Sequence, residues 1–242
     1  MSSYLETFYF TEEYGENKYP QKLCNYIYER YFKDYISKNN IKNPRLLDIG
    51  SGKGNHLVGF SKLGVEVYGL DKRDECVQIL KDFDIRECDI GKDKFPFKDN
   101  FFDFVFSKSV LEHVENTDNL LSESLRLLKP GGIAVNLTPD WKSQLKFFWN
   151  DYTHVKAFTR KGLQDAMKIN GFSNVECSYF IQLPFIWKYP FSKFMTRIIS
   201  LLPDSLKWKD KEESQPRKLI RFSKEEMLLA VGTKKITKNK NE

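Results

Sequence analysis

Short apolar runs of strand type alternate with segments of helical periodicity between residues 44 and 138, and this alternation constrains the fold more than any other feature. RLLDIG at 45–50, GVEVYGLD at 64–71, DIREC at 84–88, FFDFVFS at 101–107 and IAVNLT at 133–138 are too short for helices. They are rich in the branched and aromatic residues that suit a pleated, buried surface. Helices are expected at 20–38, 54–63, 74–82 and 117–128, the last capped by Asp118 or Thr117 and closed by the turn LKPGG. In the first of these, Leu23, Ile27, Tyr31 and Tyr35 recur every four residues behind Pro20. Buried strands separated by helices at this spacing predict an α/β fold with a doubly wound sheet, parallel through its first five strands, with right-handed crossovers.

After residue 138 the rhythm changes. A polar and aromatic loop leads to a helix capped at Thr159 and ended at Gly171, a strand at 174–182, an aromatic and basic stretch at 184–222, and a last apolar run, EMLLAVGTK. No internal repeat or long linker marks a second unit. The expectation is one domain over 1–234, with residues 1–43 as an N-terminal helix and lid, 44–138 as a binding core, 139–234 as later elements, and 235–242 as a disordered tail. With 40% apolar and 30% charged residues, the chain is unlike a disordered polymer or a disulfide scaffold. No run approaches the roughly 20 residues that cross a bilayer, and MSSYLETFYFTEE is acidic where a signal peptide is basic. A cytoplasmic location is therefore expected. Cys24, Cys76, Cys88 and Cys177 lie far apart and read as free thiols.

The chemistry concentrates where the first strand turns into its helix, at Asp48, Ile49, Gly50, Ser51, Gly52, Lys53 and Gly54. In an open parallel sheet this turn lies beside the ligand crevice. Glycines let the backbone turn tightly and approach a ligand, and Asp71, at the end of the second strand, has the reach to bind both hydroxyls of a ribose. The dinucleotide fingerprint GxGxxG requires a third glycine at position 55, which is Asn55, so a nucleotide-dependent oxidoreductase is disfavoured. A carboxylate two residues before the first glycine suits an ammonium group better than a diphosphate. Each residue also has a plainer reading: Asp48 as a cap of the turn, Asp71 as a cap of the 74–82 helix, the glycines as turn formers only.

LLDIGSGKG, GVEVYGLD, CDI at 88–90, FFDFVFSKSVLEHV and LLKPGG, in this order, closely resemble the class I S-adenosylmethionine-dependent methyltransferases. The resemblance is tight over 44–138. It implies a Rossmann-like sheet of seven strands, mostly parallel with one antiparallel strand, helices on both faces, and S-adenosyl-L-methionine as cofactor. It further implies that Asp48, Gly50, Ser51 and Gly52 surround the methionine part, that Asp71 binds the ribose and Lys72 stands beside the adenine. Asp89 and the Ile90 backbone would recognise the adenine edge, and Ser107 would face the sulfonium. Some relatives bind a divalent metal through ExxEH, but Ser109 replaces the first acid here, and Glu112 with His113 alone make a poor site, so no metal is expected. The turn NPPY, usual in enzymes that methylate bases, is replaced by FSKSVLEH, so no nucleic-acid partner is expected.

The acceptor side is read from DYTHVKAFT, which resembles a stretch of small-molecule and glycan methyltransferases linked to bacterial surface polysaccharides. His154, His113 and Asp151 are the candidate catalytic residues for an acceptor that needs a base, most naturally a hydroxyl on a small molecule or sugar. Bracing of the loop is the competing reading for Asp151 and His154, and shaping of the pocket floor for His113. His56 is read as structural or solvent-facing. A noncatalytic protein that binds the same cofactor is the rival from another class. Residues 207–242 hold eleven Lys or Arg against six acids, +5 of the net +6. The insert at 184–222 is a lid, a membrane-surface helix near a lipid-linked acceptor, or a packing element. The basic end points to an anionic acceptor or an anionic membrane.

Overall fold

The computed structural model describes residues 18–73, 82–206 and 215–236. The expected lid at 4–17, the helix at 74–82 save its last residue, and the tail from 237 lie outside the described residues. Seven strands form one sheet in the order β3-β2-β1-β4-β5-β7-β6. They are β1 (Arg45–Ile49), β2 (Glu66–Asp71), β3 (Asp84–Glu87), β4 (Phe102–Lys108), β5 (Leu128–Pro139), β6 (Ser173–Phe180) and β7 (Met227–Thr233). Pairing is parallel from β3 through β5, and β7 runs antiparallel to both β5 and β6. The strand order reverses between β1 and β4, which opens the ligand crevice of this topology at their carboxyl ends.

Both faces of the sheet are covered, which is why its strands read as continuous apolar runs. One core contains Leu47, Ile49, Val105, Ala134 and Leu228 under α4 (Thr117–Leu127) and α6 (Arg160–Ile169). The other contains Leu46, Phe104, Phe106, Val135 and Leu229 under α1 (Tyr19–Ile27) and α3 (Asn55–Ser61). Neighbouring residues such as Leu46 and Leu47 thus enter opposite cores, as the pleat requires.

Three sequence expectations are corrected. The first helix does not keep its four-residue rhythm: α1 passes through a π-helical segment, Tyr28–Phe32, into α2 (Lys33–Lys38). The fully buried residue after Ile27 is Phe32, five positions on, stacked on Phe104 at 4.0 Å, while Tyr31 and Tyr35 only flank the core. A π turn adds one residue per turn and rotates the apolar stripe accordingly. The cap of α4 is Asn116, whose side chain accepts from the Asn119 amide at 3.3 Å, rather than Asp118 or Thr117. LKPGG is not a separate turn: β5 begins at Leu128, opposite Phe102, and a register shift absorbs the Pro-Gly-Gly segment. The Thr159 cap stands as expected, with its hydroxyl accepting from the Gly162 amide at 3.2 Å.

The insert combines α7 (Pro184–Lys188) and α8 (Lys193–Ile199), and α9 (Gln215–Lys224) leads into β7. Its first part is a packing element: Trp187 stacks on Phe180 at 5.1 Å, meets Tyr19 edge-on and donates to the Ile181 carbonyl at 2.8 Å. Its second part exposes large apolar side chains, with Phe191 80% and Leu201 83% exposed. Among the described residues, no helix is long and apolar enough to cross a membrane.

Candidate active site

The glycine turn closes over the end of β2. The Gly50 and Ser51 amides both donate to the Leu70 carbonyl, at 2.7 and 3.0 Å, and the Gly52 amide donates to Asp71 Oδ2 at 2.8 Å. Gly50, Gly52 and Gly54 have φ of 70°, 50° and 72°. This left-handed region is costly for any residue with a Cβ. Space is also short at Gly50, where a Cβ would lie 2.5 Å from Val110 Cγ2.

Asp48 is buried at the floor of this turn, and its Oδ2 has no hydrogen-bond partner. Burial, with the Asp71 charge adding to it, pushes the Asp48 carboxyl well above the usual carboxylate range. The Ser51 hydroxyl is likewise buried and unpartnered. Two orphaned polar groups lie beside this glycine cradle, and such groups are costly unless something completes them. An ammonium-bearing cofactor fits that donor set.

Asp71 is already engaged. Besides the Gly52 amide, it accepts from the Arg73 amide at 3.1 Å and from Arg73 Nε at 3.0 Å. It therefore clips the turn to the end of β2, and ribose hydroxyls would share its remaining lone pairs. Lys72 pairs with Asp89 at 2.9 Å, and this ammonium, more than any other neighbour, holds Asp89 below the usual carboxylate range. The Ile90 carbonyl accepts from Asn119 Nδ2 at 3.0 Å. Ser107 is fully buried, and its hydroxyl donates to Asn136 Oδ1 at 2.7 Å. That side chain ties β4 to β5 and has no hydrogen left for a ligand.

Beyond β4 the chain makes a second cluster. Ser109 takes φ of 56° and turns the backbone so that Leu111–His113 forms a single 3-10 turn. The buried Glu112 accepts from the Thr138 hydroxyl at 2.9 Å, and its own carbonyl receives the Val155 and Lys156 amides at 2.8 and 3.1 Å. Those two backbone bonds dock DYTHVKAFT against the β4 end and bring His154 to His113, with ring centroids 4.8 Å apart. Burial raises the Glu112 carboxyl to about 7.

The partners define the imidazole tautomers. His154 Nδ1 lies 2.6 Å from the Phe148 carbonyl, and His113 Nδ1 lies 3.2 Å from the Thr153 carbonyl. A carbonyl only accepts, and the Thr153 hydroxyl, 2.9 Å from His113 Nδ1, spends its own hydrogen on Asp151, so each Nδ1 carries the proton and each Nε2 keeps its lone pair in the neutral ring. His113 Nε2 is 4.0 Å from Glu112 Oε1, and His154 Nε2 is 3.9 Å from Asp151 Oδ2. Burial, and then the neighbouring His154, hold His113 below the usual imidazole range. Asp151 stays below the carboxylate range against the effect of burial because the Thr153 hydroxyl, at 2.6 Å, and amide both donate to it.

Glu112, His113 and His154 each offer one ligand atom within 4.8 Å of the others, close enough for one metal ion to bridge. The expectation of no metal counted two ligands in sequence; docking of the later loop supplies a third. His56, by contrast, lies edge-on to Phe106 at 5.2 Å, and burial followed by the Lys108 charge lowers it to about 3, so it is a neutral packing group. Thr138, Thr153 and Phe148 were not singled out from sequence, since nothing local marks a residue that serves only by holding another.

A glycine turn at the switch point, with the buried Asp48 beneath it and Asp71 at the end of the neighbouring strand, stands on the strand order of the class I methyltransferases, whose cofactor is S-adenosylmethionine. A family profile described as a methyltransferase domain matches residues 19–177, and the chain belongs to that family. The ubiquinone biosynthesis O-methyltransferase of Pelagibacter ubique is 31% identical over 121 residues, 45% of this chain and 48% of that protein. The chain spans between about a third and a half of the length of curated relatives that it matches. An S-adenosylmethionine-dependent methyltransferase from Archaeoglobus fulgidus superposes with a TM-score of 0.56 at 20% identity, covering 84% of this chain and 92% of that one. A [4+2]-cyclase, SpnF, shares the fold with a TM-score of 0.58 at 16% identity, covering 90% of this chain and 81% of that one. The fold alone therefore does not dictate methyl transfer.

Proposed function

We propose that the protein transfers a methyl group to a hydroxyl oxygen of a small molecule or sugar. The observation that carries this reading is the pair of histidines beyond β4, each with Nδ1 held by a backbone carbonyl and Nε2 left to accept a proton. The bound cofactor supplies a methyl on a sulfonium, already activated for displacement. What remains for the chain is to bind, align and exclude water. Asp48 and Ser51 would take the amino-acid end, Gly50 and Gly52 would allow close approach, Asp71 would share its lone pairs with the ribose, and Asp89 and Ile90 would border the adenine. His154 or His113 would take the acceptor's proton at Nε2, with Asp151 and Glu112 stabilising the imidazolium. A base of this kind has little to offer a carboxylate acceptor, which is already ionised.

Labelled methyl transfer from S-adenosylmethionine to a panel of hydroxyl, amine and carboxylate acceptors tests the reading, with incorporation expected in the hydroxyl set, glycans and sugar derivatives included. Cofactor binding without transfer to any acceptor would favour the noncatalytic rival. His154→Gln is expected to lower turnover about a hundredfold. Cofactor affinity should be unchanged. Full turnover in that variant contradicts the base role.

A second reading is favoured by the three convergent ligand atoms: Glu112, His113 and His154 would hold a divalent transition ion that lowers the acceptor hydroxyl's pKa. Elemental analysis separates the two. Stoichiometric metal lost in His154→Gln supports the ion, whereas a metal-free preparation with turnover insensitive to chelator supports the base.

A further inference from the structure

A cavity of about 620 Å³ opens between the segment after β5 and the insert, away from the glycine turn. Its walls are α5 (Trp141–Gln144) and the residues up to Phe147, the end of β6, one face of α8, and the end of α9. Five cationic side chains line it against two acidic ones.

The charges do not cancel by pairing. Asp204 binds both Lys146, at 3.3 Å, and Lys224, at 2.7 Å, and so accounts for two of the cations. Lys142, Lys193 and Arg197 have no ion pair among the described residues, and Glu226 is the one acid left facing them. The hydroxyls in the wall are spent locally: Thr196 donates to the Lys193 carbonyl at 2.7 Å and Ser200 to the Arg197 carbonyl at 2.7 Å. The unsatisfied property of this cavity is therefore positive charge. Three like charges converging on one concavity repel one another and gain when an anion enters.

The volume exceeds what a single small anion fills and lies in the range of pockets that hold a whole metabolite. The cavity also adjoins the candidate catalytic cluster: Phe147 is in its wall, and the next residue, Phe148, packs on His154 with ring centroids 4.3 Å apart. We propose that this cavity is a subsite for a phosphate or pyrophosphate group of the acceptor. Assignment of that group to the acceptor rests on the methyl-transfer reading; the anion site itself does not. A sugar phosphate in solution and a lipid-linked headgroup present the same chemistry. The outer face of α8 accommodates the second source, because Phe194 and Ile198, on the helix that sends Lys193 and Arg197 into the cavity, are 66% and 55% exposed.

Calorimetry with inorganic pyrophosphate, and sedimentation with vesicles of phosphatidylcholine with or without phosphatidic acid, test the subsite on the full chain. The double variant Lys193→Ala/Arg197→Ala alters two exposed side chains, and Lys188→Ala removes an exposed cation outside the cavity as a control. Pyrophosphate binding that weakens at least tenfold in the double variant and not in the control supports the subsite with a soluble source. Retention on phosphatidate vesicles alone, lost in the double variant, supports it with a lipid source. Absence of both, or binding indifferent to the double substitution, overturns it. S-adenosylhomocysteine binding in the same samples keeps the two readings apart: if it persists while anion binding is absent, only the subsite fails.

Discussion

Gly50→Ala is expected to unfold at a temperature about 10 °C lower than the parent and to lose cofactor binding. Two costs add at this position. Its φ of 70° is a left-handed conformation, which costs a residue with a Cβ about 1–2 kcal/mol. The added Cβ would also stand 2.5 Å from Val110 Cγ2, a contact the packed core relieves only by moving Val110, at about 1–3 kcal/mol. A total near 3 kcal/mol shifts the midpoint of a domain this size by the stated amount. Gly64→Ala is the comparison, because Gly64 shares the left-handed φ, at 78°, while a Cβ there meets nothing within 4 Å. It isolates the conformational cost, and thermal melts that fall equally in both variants would show that the Val110 contact contributes nothing.

Asp48→Asn is expected to separate stability from binding. Burial and the Asp71 charge raise the Asp48 carboxyl in the folded chain, so the folded protein keeps a proton that the unfolded chain releases above about pH 4. Asp48 therefore costs stability increasingly as pH rises from about 4 toward its folded pKa. The amide removes that cost, and the variant should melt higher than the parent at pH 7 with the difference shrinking on acidification toward pH 4. Affinity should move the other way, about 10-fold to 100-fold weaker for a lost charge-assisted bond to an ammonium. Binding to the parent should release a proton, seen as a dependence of the calorimetric enthalpy on buffer ionisation, and the variant should show none. Equal affinity in parent and variant would remove Asp48 from the site.

The sequence carried the strands and their order of events well, because a strand buried on both faces is a local property of five to seven residues. It carried the glycine turn equally well, since Gly50, Gly52 and Gly54 all take conformations that favour glycine. What it missed depends on contacts between distant segments. The π segment carries Phe32 onto Phe104, a contact with a distant strand that no local pattern within the helix marks. His113 and His154 are 41 positions apart, and contacts between the two segments, the backbone bonds from Val155 and Lys156 to Glu112 among them, bring them together. Ser107 shows another limit of local reading: its position at the end of β4 suggests a ligand contact, and only the structure shows that its hydroxyl donates to Asn136 across the strand pair. The basic end of the chain is likewise only partly legible by counting, since four of the five cations in the 620 Å³ cavity, Lys142, Lys146, Lys193 and Arg197, precede residue 207.

The most direct measurement of the central claim is calorimetric titration of the purified protein with S-adenosylhomocysteine and, separately, with a nicotinamide dinucleotide. The account predicts saturable one-to-one binding of the first, weakened in Asp48→Asn, and none of the second. Tight dinucleotide binding with no response to S-adenosylhomocysteine would contradict it.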